Sequence, residues 1–187
     1  MSTTHLIAEL LVIGIGAACW LALAIAAALG YKLEYGVPRL DAAYLILLSA
    51  VAYVLGIVVD RLARSLLNPI EDSQRRKIFG ALSAAEVESL ERYVLTHSEP
   101  LARQIQYNRS RLRICRAWLI NTLLILVAYL AWYWRTRVAS LDLTLLFTGG
   151  IALALLLLGL TVWSLMRDHY INVLRSHEFL IKHETDA

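Results

Sequence analysis

Four uncharged apolar runs divide this chain, at about 10–30, 43–59, 117–134 and 143–166. A helix needs about 20 apolar residues to cross a hydrocarbon core, and each run approaches or exceeds that length. One such run fits the centre of a soluble domain, but four in 187 residues leave too little polar chain to cover them. The composition agrees, with 59% hydrophobic and only 18% charged residues against roughly 25% charged in an ordinary globular chain. The predicted fold is an all-α membrane protein of four transmembrane helices with cytosolic helical extensions. The predicted segments are 1–66 for the first helix pair, 67–114 for a cytosolic helical region, 115–166 for the second pair and 167–187 for a C-terminal helix.

Charge sets the expected orientation. With four spans, the two termini and the middle loop share one side, and that side carries 14 Lys and Arg. The other carries Lys32, Arg39, Arg135 and Arg137. Basic residues collect on the cytoplasmic face, so a multi-pass protein of a bacterial inner membrane with both termini cytoplasmic is expected. Tyr31, Tyr35, Tyr44, Tyr129, Trp132, Tyr133 and Trp134 then gather at the outer interface, with Trp118 and Trp163 at the inner one. The first five residues hold no Lys or Arg, and the run after them exceeds a signal-peptide core of about 7–15 residues, so a retained anchor is expected.

Small residues recur every four positions in the first span, at Gly14, Ala18, Ala22, Ala26 and Gly30. Ala52 and Gly56 repeat the spacing in the second span, and Thr144, Thr148 and Ala152 in the fourth. Such stripes let helix backbones approach closely, either within one protomer or along a seam between copies.

The middle loop reads as helical. Asn68-Pro69 is expected to break the second span's extension, leaving a short charged piece from Ile70 to Phe79 that stops at Gly80. Ser83 and Glu86 form a capping box for a helix reaching about His97. Ser98-Glu99-Pro100 opens the next, with proline in the tolerated first turn. Nothing stops that helix before the third span ends, and the fourth span is expected to continue to about Lys182. Met166, Tyr170, Val173, His177 and Leu180 mark a short seam on that extension.

Four arginines, Arg109, Arg111, Arg113 and Arg116, lie within eight residues just before the third span. Arg109, Arg113 and Arg116 follow the three- and four-residue spacing of one helical face, which Arg103 and Tyr107 extend, while Arg111 points elsewhere. The plain role for such a collar is orientation plus contact with anionic lipid, worth about 1 kcal/mol per residue. The sharper role is a site for an anionic ligand. Arginine forks suit phosphate oxygens, and Tyr107 offers a stacking surface for a base. Arranged around an axis, these collars would form a positive ring at a pore mouth. Asn121, Thr122 and Thr148 are the candidate pore-lining residues, although an intramembrane Asn commonly bonds across helices.

Catalysis has little support. Arg92 and His97 match the Arg-x4-His spacing of some helical ribonucleases, a pattern of two fixed positions that arises readily by chance. His169, His177 and His183 lack the four-residue gap of helical metal ligands, and Cys19 and Cys115 share no motif, so no metal, cofactor or disulfide is expected. No ionisable group lies deep in a span, which argues against ion-coupled transport.

The run from Tyr53 to Ala63 and the run from Tyr107 to Asn121 resemble small bacterial four-span membrane effectors of anti-phage defence, of the Hailong channel type. The resemblance implies a homo-oligomeric channel, held closed by a short single-stranded DNA, whose opening is toxic. The leading expectation is therefore a self-assembling channel, a tetramer favoured, governed by a nucleotide or oligonucleotide or by a soluble operon partner. The alternatives are a non-conducting scaffold that recruits a soluble partner and, more remotely, a membrane-tethered ribonuclease.

Overall fold

The computed structural model describes residues 3–30, 42–80, 84–136 and 141–185. It is all-helical, with α1 Thr3–Leu29, α2 Ala42–Phe79, α3 Ala84–His97, α4 Glu99–Thr136 and α5 Leu141–Thr185. Four of these helices are long and apolar enough to cross a membrane, and only α3 is not. The helices form two compact units. One comprises residues 1–65 and 114–159, the other residues 66–113 and 160–187, so α2, α4 and α5 each contribute to both.

Pro69 does not end α2. The helix continues through it to Phe79, correcting the expected break at Asn68-Pro69. Interior proline removes one backbone hydrogen bond at a cost of about 3 kcal/mol. The apolar anchors on either side, Leu67 and Phe79, are both buried and hold the helix across the defect. The end expected at Gly80 is observed: Gly80 takes a positive φ of 61°, and its N–H donates to the Arg76 carbonyl at 3.0 Å. Gly30 closes α1 in the same left-handed conformation, with φ 66°. Pro100 sits in the first turn of α4 as expected, and α5 runs beyond Lys182. The Ser83 cap, Tyr31 and Tyr35 lie outside the described residues.

In the first unit, α1 packs against both α2 and α4. A Cβ on Gly14 would overlap the Ala52 carbonyl, and one on Gly56 would overlap the Leu10 carbonyl, so two backbones touch with no side chain between them. The small-residue stripe thus works inside the protomer: Gly14 faces α2, and Ala26 joins Ala27, Tyr129 and Trp132 on the α4 side. Ala22 of the same stripe is exposed. Ile13, Ala17, Val59, Ala63, Ala117 and Ile120 form the main core of this unit.

The fourth span departs from the others. Only 6% of its apolar window is buried, against 33% for α1 and α4, and no neighbour lies within 4 Å of a Cβ placed on Gly149, Gly150 or Gly159. Tyr129 of α4 meets α5 through Phe147, the ring centres 4.2 Å apart.

Gly14→Ala and Gly56→Ala should each force α1 and α2 apart and cost about 1–3 kcal/mol. Thermal unfolding in detergent reads this as a lowered midpoint, with the exposed Ala22→Val unchanged as the control.

Candidate ligand face and buried charge cluster

The five residues assigned to one collar face, Arg103, Tyr107, Arg109, Arg113 and Arg116, separate into three environments along α4. Packing of the second unit fixes the helix rotation, because Ile105 faces a core with Phe79, Val87, Val94, Tyr170 and Val173. That rotation sends Arg109 toward α3, where it donates to the Glu91 carboxylate at 2.6 Å. Arg116 is 5% exposed, and Arg113 is half-buried. Arg109 stays half exposed while held on Glu91, Arg113 is half-buried and Arg116 is buried, so these three arginines do not present one uniformly open cationic face.

A different set is open. Arg103, Tyr107 and Arg111 are exposed at four-residue spacing, one above another on α4. The Arg111 guanidinium carbon lies 5.5 Å from the centre of the Tyr107 ring, within cation–π range. Tyr107 is 59% exposed, so much of its surface stays available for stacking. Arg103 pairs with Glu99 at 2.5 Å, but both side chains are about three-quarters exposed, and such a pair is worth at most about 1 kcal/mol. An incoming phosphate can compete for that guanidinium. Arg111, which the collar reading set aside, belongs with this face.

Sequence reading missed a buried charge cluster in the second unit. Glu91 is 8% exposed and His169 is 6% exposed, with Nε2 of the histidine 3.7 Å from a Glu91 oxygen. Burial pushes the Glu91 carboxyl above its ordinary 4.5, and the charge of Arg109 only partly offsets it, while Glu88 and Glu71 add to the rise. Glu71 accepts a hydrogen bond from the Tyr170 hydroxyl at 3.1 Å. Glu91 from α3, Arg109 from α4, His169 and Tyr170 from α5 and Glu71 from α2 therefore bring polar groups of all four helices together. The signal lay in α3, where Glu91 interrupts the apolar row Val87, Leu90 and Val94. A carboxylate on the inward face of an amphipathic helix needs a partner.

Asn121 is completely buried and bridges two helices. Its Nδ2 donates to the Ile13 carbonyl at 2.8 Å, and its Oδ1 accepts from Trp20 Nε1 at 3.2 Å. This is the cross-helix role, and it leaves no surface of Asn121 facing outward from the protomer. Thr122 and Thr148 spend their hydroxyl protons on their own helices, donating to the Trp118 carbonyl at 2.7 Å and the Thr144 carbonyl at 2.8 Å. Arg92 pairs with Glu88, whereas His97 stacks on Tyr93 with Nδ1 2.8 Å from the Tyr93 carbonyl oxygen. Among the described residues no group of three or more His, Cys, Asp or Glu is placed to hold a metal ion.

No protein family, curated protein or solved structure matches this chain.

Two outcomes follow. Asn121→Leu removes two bonds in an apolar setting, where interhelical polar contacts average about 0.6 and reach about 1.7 kcal/mol, so the unfolding free energy measured in detergent should fall by an amount on that scale. For Glu91, the folded value lies above the unfolded one. The protonated form therefore favours folding most below the ordinary value, and that contribution is lost as pH rises through the raised value. Glu91→Gln stays uncharged throughout, so the variant's midpoint should gain on the wild type from pH about 4.5 upward. A difference that is flat with pH would remove Glu91 as the source.

Proposed function

We propose that this chain is the subunit of a homo-oligomeric membrane channel, governed by an anionic ligand that binds its second unit. The observation that carries the reading is the fourth span, whose apolar window is 6% buried. Leu146, Leu153, Leu156 and Leu160 lie 58–75% exposed along it. Copies meeting through α5 would place these surfaces around an axis, the arrangement cyclic assemblies use. The ligand face is Arg103, Tyr107 and Arg111, where two guanidinium groups flank an aromatic ring. That chemistry fits a nucleotide or short single-stranded nucleic acid, with the base on the ring and phosphates on the forks. The basic excess near 61–116 supports a cytoplasmic location for that face.

The apolar character of the exposed α5 surface favours a second reading, in which the assembly is a non-conducting scaffold for a soluble partner. Conduction separates the two. Purified protein in planar bilayers should give discrete currents that single-stranded DNA alters. The double variant Tyr107→Ala with Arg111→Glu should conduct but lose that response. A silent bilayer, with insertion and assembly verified, supports the scaffold. Currents whose DNA response survives the double variant remove this face as the sensor.

A further inference from the structure

The first unit holds a groove between α1 and α4 with a volume of about 490 Å³. Its walls are Trp20, Ala24 and Ala28 from one helix and Leu124, Val127 and Ala131 from the other. Apart from the indole N–H of Trp20, which is already bonded to Asn121, these walls offer no polar side chain. Small residues create the groove, because alanines stand where larger side chains would fill the space between the helices.

One charge lies in its lining. Arg135 belongs to the groove at the end away from Trp20, and its Nε lies 3.8 Å from where a Cβ on Gly30 would stand. Arg135 is exposed. An apolar trough with a single cation at one end is complementary to an amphiphile whose head is anionic.

Length selects the amphiphile. From Leu124 to Arg135, α4 rises about 16 Å at 1.5 Å per residue. Half of a hydrocarbon core of about 30 Å is one leaflet, about 15 Å deep. The groove therefore matches the depth of one leaflet, with the guanidinium at headgroup level.

We propose that this groove is a site for one anionic membrane phospholipid, an acyl chain lying along the alanine walls and the phosphate on Arg135. The inference rests on the chain's spanning a bilayer, not on its conducting ions, so a silent channel assay leaves it standing. Arginine meets phosphate oxygens with two parallel charge-assisted hydrogen bonds. The acyl chain in turn covers an apolar surface between two helices.

Native mass spectrometry of the full chain in detergent tests this, using phosphatidylglycerol and diacylglycerol with identical acyl chains as probes. The wild type should retain one phosphatidylglycerol per protomer at least about tenfold better than diacylglycerol, the scale of a charge-assisted contact. Arg135→Gln should bring phosphatidylglycerol down to the diacylglycerol level. Ala131→Phe, which fills the groove, should lose both, and the milder Ala28→Leu should weaken both without lowering the unfolding midpoint. Phosphatidylglycerol retained equally by wild type, Ala28→Leu and Ala131→Phe would overturn the proposal. So would a smaller oligomer mass for Ala131→Phe with unchanged lipid retention, which would make the groove a seam between copies.

Discussion

The backbone contact of α1 with α2 sets the geometry of the first unit. Gly14 lies on Ala52 and Gly56 lies on Leu10, and neither crossing point has room for a methyl group. In a bilayer, lipid tails are as apolar as leucine, so helices gain little by hiding apolar surface from one another. Close approach substitutes for that missing force through many short-range dispersion contacts. Once α1 is seated against α2, its opposite side is fixed too, and the Ile13 carbonyl and Trp20 indole come within reach of Asn121 on α4. One amide then joins two helices where an unpaired polar group would be costly.

The second unit follows a different logic. Its core is a conventional apolar one built around Val94, Ile105 and Val173, but the polar groups of its four helices also meet beside it. Glu91 is central, with Arg109 on one oxygen and His169 near the other. Breaking one side of such a buried set leaves a charge without compensation. The same cluster explains why the arginine collar is not a uniform surface. Arg109 is half exposed but held on Glu91, while Arg103, Tyr107 and Arg111 stand open beside it.

Much of the helix plan was legible because its signals are local. Uncharged runs gave the four helices long and apolar enough to cross a membrane, Gly80 gave the end of α2, and Pro100 marked the start of α4. Pro69 misled because a proline rule prices one lost hydrogen bond and does not see the buried Leu67 and Phe79 beyond it. For the collar, spacing tells which residues share a face, but only tertiary packing tells which way that face turns. Arg109, Arg113 and Arg116 were grouped by periodicity, whereas the burial of Ile105 and Leu112 decides what α4 shows to solvent. Glu91 could have been found by asking why a carboxylate stands among Val87, Leu90 and Val94. Its partners Arg109 and His169, 18 and 78 positions away, are not readable from any window.

The contrast between α1 and α5 has a consequence for how the chain tolerates change over evolutionary time. Where α1 crosses α2, shape is constrained at single-atom scale, so few side chains are admissible at Gly14 and Gly56. Along the exposed length of α5, apolar character is the main local requirement, and leucine, isoleucine, valine and phenylalanine become near-synonyms. Sequences descended from a common ancestor would then hold Gly14 and Gly56 nearly still and drift faster at those α5 positions that no seam between copies covers.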